Sequence, residues 1–193
     1  MEATNVTDNI SIKISNLAYG NEDIEISING KKLFYSAGYG GSDPLGDLIK
    51  IAAELDSDED CKRCKVVWDG EPGQMEFVVT KDAADNRILH INARETGDFF
   101  DPEKKIRWSQ DDKYHYKVSL VALKEAIINE AIRVLKEYGI RGYAGSWCDG
   151  WDTFPITSLL VLLGNKSKFD EETDSYRSDV FRELDILETR LKE

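Results

Sequence analysis

Isoleucine alternates with polar residues in two runs near the start of the chain, and this pattern constrains the fold more than any other. It occupies every second position from Ile10 to Ile14 and again from Ile24 to Ile28. A period of two places alternate side chains on one face of a β-strand. Asn29-Gly30 follows, and these residues accept the positive φ angles of a tight hairpin turn. The sequence therefore predicts antiparallel strands joined by a hairpin, with the third strand at Leu33-Phe34-Tyr35.

Helical periodicity predicts amphipathic helices between and after the strands. Asp43-Pro44 supplies an N-cap and a first-turn proline, and Ser119 caps a longer helix that Gly139 is placed to end. In the last helix, an apolar stripe is formed by Tyr176, Phe181, Leu184, Leu187 and Leu191. The predicted helices cover residues 44–55, 120–138, a short stretch after Pro155, and about 171–192.

Further alternating runs predict strands at residues 66–68, 75–79, 89–93 and 114–118, whereas residues 96–112 have the composition of an exposed connection. We expect residues 1–193 to form a single α+β domain whose first few residues are disordered. It should contain one antiparallel sheet of five to seven strands, with the helices packed on one face.

The charge of the chain bears on its partners. There are 37 acidic against 25 basic side chains, a net charge of −12. Nucleic acid and anionic lipid are bound by clustered positive charge, so neither is an expected partner, and a basic protein is favoured. Met1–Thr4 lack the features of a secretion signal, and the longest aliphatic run, Leu159–Leu163, has five residues. We expect a cytoplasmic protein.

Two short motifs suggest cofactor chemistry but lack its full pattern. Gly38–Asp43 lies where a phosphate-binding loop would lie, yet Asp43 replaces the third glycine, which favours a turn and a capped helix. Cys61-Lys62-Arg63-Cys64 has the spacing of half a zinc site, and a closed site would need Cys148 with a distant histidine. We therefore expect inert thiols, with no metal and no cofactor.

The candidate catalytic residues are scattered. His90 and His115 lie in predicted strands without a neighbouring nucleophile, and Asp69 and Glu71 flank a turn. We expect surface roles for all four, and the sequence identifies no catalytic residue.

Two segments are candidate contact sites for a partner. Large rings lie in a glycine-rich loop near residues 147–152, where they either form a contact patch or fill the core. An acidic run at residues 56–60 either attracts a basic partner or is a solvated surface. The candidate partner-binding residues are Asp56, Asp58, Glu59, Asp60, Trp147, Asp149 and Trp151.

Several segments together resemble bacterial α+β proteins of the type that serve as immunity proteins beside polymorphic toxins. They are Asp43-Pro44-Leu45-Gly46-Asp47-Leu48, Glu71-Pro72-Gly73, Tyr138-Gly139-Ile140, Tyr143, Trp147 and Phe154-Pro155. The resemblance implies an α+β fold and a binding role.

Two functions follow as hypotheses. The first is an acidic binding protein, specifically an immunity-type inhibitor of a basic toxin domain. The second is a small hydrolase-like enzyme with a site of carboxylates and His90 or His115. A deep pocket holding those groups would favour the enzyme, and an acidic surface with exposed rings would favour binding.

Overall fold

The computed structural model describes residues 5–38, 42–57, 60–70, 73–96, 114–147, 154–164, 168–170 and 175–193. The elements in these ranges are β1 (Ile10–Ala18), β2 (Asn21–Ile28), β3 (Lys31–Ala37), α1 (Pro44–Ser57), β4 (Arg63–Asp69), β5 (Gln74–Lys81), β6 (Ile88–Thr96), β7 (Tyr114–Ser119), α2 (Leu120–Ser146), α3 (Ile156–Leu162), β8 (Lys168–Asp170), β9 (Ser175–Arg177) and α4 (Val180–Lys192).

The alternating isoleucines build a three-stranded antiparallel sheet in the order β1-β2-β3. Ile12 lies opposite Ile26, and both side chains are buried. The turn between β2 and β3 holds Asn29 at φ 52° and Gly30 at φ 76°, which are the left-handed angles that the hairpin requires. The predicted hairpin is confirmed.

A second antiparallel sheet has the order β4-β5-β6-β7. Trp68 and Phe77 stack on its inner face with ring centroids 5.1 Å apart, and both are fully buried. The other face carries polar and charged side chains, including His90 and His115.

The α+β class is confirmed, but the prediction of one continuous sheet is wrong. The first seven strands divide into two sheets because the chain enters α1 after β3, and β4 pairs with β5 instead. The sheets meet where the Tyr35 hydroxyl donates to the carbonyls of Trp68 and Gly73, at 3.0 and 2.8 Å.

α1 and α2 lie close to the predicted ranges. Leu48, Ile49 and Ala52 of α1 are fully buried, and the helix contacts α2 and α3. The Ser119 hydroxyl accepts a hydrogen bond from the Ala122 N–H, as predicted for an N-cap. Gly139, at φ 68° and ψ 170°, is not helical, so the helical segment that begins at Leu120 ends there as predicted, and a second helical segment within α2 continues to Ser146.

α4 begins later than predicted, at Val180. The carboxylate of Asp179 accepts from the N–H groups of Phe181 and Arg182, at 3.0 and 3.3 Å, and so caps the helix there. The preceding Ser175–Arg177 form β9. Throughout the described ranges, the helices are too short or too polar to cross a membrane.

α2 also covers part of the outer edge of β1. The N–H of Ile14 donates to Glu130 Oε1 at 2.5 Å, and Arg133 Nη2 donates to the Ile14 carbonyl at 2.8 Å. An edge strand otherwise offers these groups to another chain. The two α2 side chains therefore close this edge at Ile14.

Candidate functional site

The structure describes three of the seven predicted contact residues. Asp56 is at the end of α1, and Lys124 Nζ donates to its Oδ2 at 2.7 Å, so its charge already has an intramolecular partner. Asp60 is exposed. Asp58, Glu59, Asp149 and Trp151 lie outside the described residues, as do Tyr39 to Gly41, Glu71 and Cys148.

Trp147 is a core residue in this structure, with 7% of its surface exposed. Its ring packs edge-on against Tyr143, with centroids 6.3 Å apart, and Tyr143 packs in the same way against Phe154 at 5.3 Å. Of the two alternatives for the aromatic loop, core filling describes this ring. In this conformation, Trp147 presents too little surface to anchor a partner.

An acidic and apolar surface instead lies on α4. Phe181, Leu184, Asp185 and Glu188 are spaced i, i+3, i+4 and i+7, so they share one side of the helix, and we call them the α4 face. Phe181 is 80% exposed and Leu184 is 53% exposed. Exposed large apolar side chains that cluster on one element are typical of interaction sites. The α4 face therefore combines an exposed ring with two carboxylates, of which Glu188 is paired with Lys192 at 2.8 Å.

The sequence pattern identifies Phe181 and Leu184 as part of an apolar stripe, but it does not show that their side chains are exposed. The predicted apolar stripe groups these residues without showing which of them are covered, and its first member, Tyr176, lies in β9 rather than in the helix. In the structure, only Leu187 and Leu191 of the four stripe residues on α4 pack against the core, and Arg190, near the end of the helix, contacts Asn129 and Glu125 of α2. Periodicity alone cannot show where such a contact stops.

A second group of ionisable residues is buried at the start of α1. Glu22 is fully buried and Asp43 is 3% exposed. The Leu45 N–H donates to Glu22 Oε1 at 2.9 Å, and the Gly46 N–H donates to Asp43 Oδ1 at 2.6 Å. The hydroxyl of Tyr143 donates to the same Asp43 oxygen. The predicted N-cap is confirmed, and Glu22 adds a second acceptor to the helix start.

Burial changes the acidity of this pair. It raises the pKa of Asp43 from 3.8 to about 6, against the lowering effect of the bonds from Tyr143 and Gly46. Burial, and then the charge of Asp43, raise the pKa of Glu22 well above its ordinary value. Within the described residues, Asp43 Oδ2 is buried without a hydrogen-bond partner. These carboxylates serve to anchor the helix, at a cost in desolvation.

The two histidines of the chain are neighbours on the outer face of the second sheet. Their ring centroids are 5.9 Å apart. His90 Nε2 is 2.8 Å from Asp82 Oδ2, and His115 Nδ1 is 2.5 Å from Asn92 Oδ1. Lys117 Nζ is 3.7 Å from the same oxygen of Asp82. We call these five residues the histidine cluster.

The electrostatics of the histidine cluster suit proton transfer. Partial burial lowers the pKa of His115, and the nearby His90 and Lys117 lower it further. The hydrogen bond with His90 is the largest of the causes that hold the pKa of Asp82 at about 2, so this carboxylate stays ionised. A neutral imidazole beside an imidazole oriented by a carboxylate is able to act as a general base. Strand alternation placed both rings outward, but only the register of β6 and β7 makes them neighbours.

The carboxylate and histidine groups do not form one site. Glu22 and Asp43 lie at the start of α1, whereas the histidine cluster lies on the open face of the second sheet. A groove of about 320 Å³ lies between α2 and α4, and neither histidine lines it. Comparisons with protein-family models, with curated proteins and with solved structures found no match to this chain.

Proposed function

We propose that this protein is an immunity-type binding protein that captures a basic toxin domain through the α4 face. The observation that carries the proposal is the exposure of Phe181 and Leu184 beside Asp185 and Glu188. Apolar anchors supply most of the affinity of an interface, while flanking charges select a partner of opposite sign. A basic surface with an apolar recess is the complement of this face.

The charge of the whole chain supports the same partner class. A net charge of −12 attracts a cationic protein and speeds its association. Exposed charges act over about 8 Å at physiological ionic strength, so this attraction falls as salt is added. The packing of Phe181 and Leu184 acts only on contact, so its contribution to binding does not fall as salt is added.

The test uses the protein encoded by the reading frame next to this gene as the binding probe. Its association and dissociation rates are measured by biolayer interferometry at low and high salt. F181A/L184A should weaken binding by about 100-fold or more, since anchor residues are each worth about 2 kcal/mol. D185K/E188K should mainly slow association. V121A is the matched control, because Val121 is 69% exposed but lies on α2.

The results separate the parts of the proposal. If F181A/L184A binds like the wild type, the α4 face is not the contact surface. If D56K/D58K/E59K/D60K slows association and D185K/E188K does not, the acidic run at residues 56–60 is the contact surface. An adjacent gene product that is not basic, or that does not bind, would contradict the immunity-type role.

The histidine cluster supports a second candidate function, acid–base hydrolysis. The observation that favours it is that both histidines of the chain lie side by side, with Asp82 orienting one ring. Lys65 and Arg94 lie on the same open face, where Glu76 pairs with both. Positively charged groups near a histidine pair suit a phosphodiester substrate.

This second function is tested with bis(p-nitrophenyl) phosphate as the substrate. If the site is catalytic, H90A and H115A should each lower kcat/KM by about 100-fold or more, and the pH profile should be bell-shaped. D82N should also lower it, and N92A tests the orientation of His115. Turnover that survives both histidine substitutions, or no turnover at all, would exclude hydrolysis of this diester by the cluster.

A further inference from the structure

Three metal-binding side chains meet where α1 ends and β4 begins. Glu54 is in the last turns of α1, Cys61 follows the helix, and Cys64 is the second residue of β4. The sulfur atoms of Cys61 and Cys64 are 3.5 Å apart, and Cys61 Sγ is also 3.5 Å from Glu54 Oε1. One ligand atom from each of the three residues lies within 4.8 Å of the others.

Two of the three separations, both made by Cys61, match those of a tetrahedral zinc site, and the third, between Cys64 and Glu54, is within 4.8 Å. Zinc lies about 2.3 Å from a thiolate sulfur and about 2.1 Å from a carboxylate oxygen, at tetrahedral angles. Two sulfur ligands are then about 3.8 Å apart, and a sulfur and an oxygen about 3.6 Å apart. The observed distances of 3.5 Å are within a few tenths of an ångström of both values. We propose that Glu54, Cys61 and Cys64 bind a zinc ion.

The geometry distinguishes this site from a disulfide. A disulfide holds its sulfur atoms about 2.05 Å apart, so the two cysteines here are free thiols. A neighbouring carboxylate does not stabilise a disulfide, which is uncharged. A metal ion of charge +2, in contrast, is stabilised by a third anionic ligand. The carboxylate of Glu54 therefore points to a metal.

Cys61 and Cys64 would bind zinc as thiolates, so binding is coupled to loss of the thiol protons. Zinc binding would replace the thiol protons and release them to solvent. Glu54 is exposed and Cys61 is half-buried, so an ion can reach the site from solvent.

The three ligands leave one tetrahedral position for water or for a donor from a partner. Among the residues that the structure describes, no other His, Cys, Asp or Glu joins the group. The Cys-x-x-Cys half-site is visible in the sequence, but no sequence pattern identifies its third ligand. The completing ligand comes from α1, seven residues before Cys61, and only the fold brings it back to the pair.

The experiment measures metal binding by the reduced, metal-free protein. Zinc is titrated with a colorimetric competitor, and Co²⁺ is added separately because thiolate ligands give it a charge-transfer band. One equivalent per chain is expected. C61S and C64S should abolish the cobalt band, and E54Q should weaken zinc binding at least 10- to 100-fold, the cost of losing even an outer-shell partner. E125Q is the matched control for E54Q, because Glu125 is exposed on α2 and does not belong to the group, and it should bind like the wild type.

Circular dichroism of each variant checks the fold, and the half-buried Cys61 and exposed Glu54 provide variants that spare the core if C64S unfolds. Failure to bind zinc at micromolar concentration would overturn the proposal. So would equal binding by C61S and the wild type, or formation of a Cys61–Cys64 disulfide in a reducing glutathione buffer.

Discussion

The substitution D43N tests whether the buried carboxylate at the start of α1 costs the protein stability at neutral pH. The pKa of Asp43 is about 6 in the folded state, against 3.8 as its ordinary value. At about 1.36 kcal/mol per pH unit, this difference is worth about 3 kcal/mol once both states are ionised. Because the folded-state pKa is raised, the protonated group contributes its full stability below about pH 3.8. That contribution is lost as pH rises through about 6.

Asparagine removes this pH dependence while keeping an oxygen for the Gly46 N–H. The NH₂ group of asparagine would replace Asp43 Oδ2, which has no hydrogen-bond partner within the described residues. A buried NH₂ group without an acceptor lowers the free energy of unfolding of D43N by an amount that does not depend on pH. The constant part cancels when two pH values are compared. The free energy of unfolding of D43N minus that of the wild type should therefore increase by at least about 2 kcal/mol from pH 4.5 to pH 7.5, because loss of the Asp43 charge also lowers the pKa of Glu22.

Urea denaturation followed by circular dichroism at the two pH values measures this difference. D185N is the matched control, because it removes the same charge from an exposed position on α4. Its difference from the wild type should change far less with pH. A D43N difference that stays constant would mean that Asp43 ionises normally in the folded protein, and one that shrinks as pH rises would mean that its folded-state pKa is lowered. Either result would refute the control of its pKa by burial.

Two further predictions concern the same helix start. G46A should lower the free energy of unfolding, measured by urea denaturation, by about 1 to 3 kcal/mol. The new Cβ would lie 2.0 Å from Asp43 Oδ2 and force the carboxylate to move. A variant as stable as the wild type would show that the carboxylate moves freely. Y143F removes a hydrogen bond that lowers the pKa of Asp43, so the pH dependence of stability should shift to higher pH, and an unchanged profile would refute this role of Tyr143.

The fold was predictable where local chemistry specifies it. The isoleucine alternation and Asn29-Gly30 fix a hairpin without help from distant residues, and Ser119 fixes a helix start through its own hydroxyl. The division into two sheets was not predictable in this way. It depends on whether β3 hydrogen-bonds with β4, and strand alternation is the same in either arrangement.

The candidate sites were less predictable because each depends on contacts between distant segments. Nothing near Trp147 in the sequence shows that its ring packs against Tyr143, or that Phe181 is exposed while Leu187 packs against the core. The histidine pair depends on strand register, and the third ligand of the cysteine site comes from a helix. Sequence patterns identify the residue types, and the fold decides which of them meet.

Carboxylates in this chain serve two purposes, which the net charge does not separate. Glu22, Asp43 and Glu130 are buried, and each accepts a hydrogen bond from a backbone N–H, at Leu45, Gly46 and Ile14 respectively. These three acids hold α1 and the edge of β1 in place, so removing one should change stability. Asp185 and Glu188 are exposed, so reversing their charge should leave stability almost unchanged and slow association with a basic partner. The excess of acid is therefore evidence for binding only to the extent that it lies on the surface, and the α4 face places two such carboxylates beside apolar anchors.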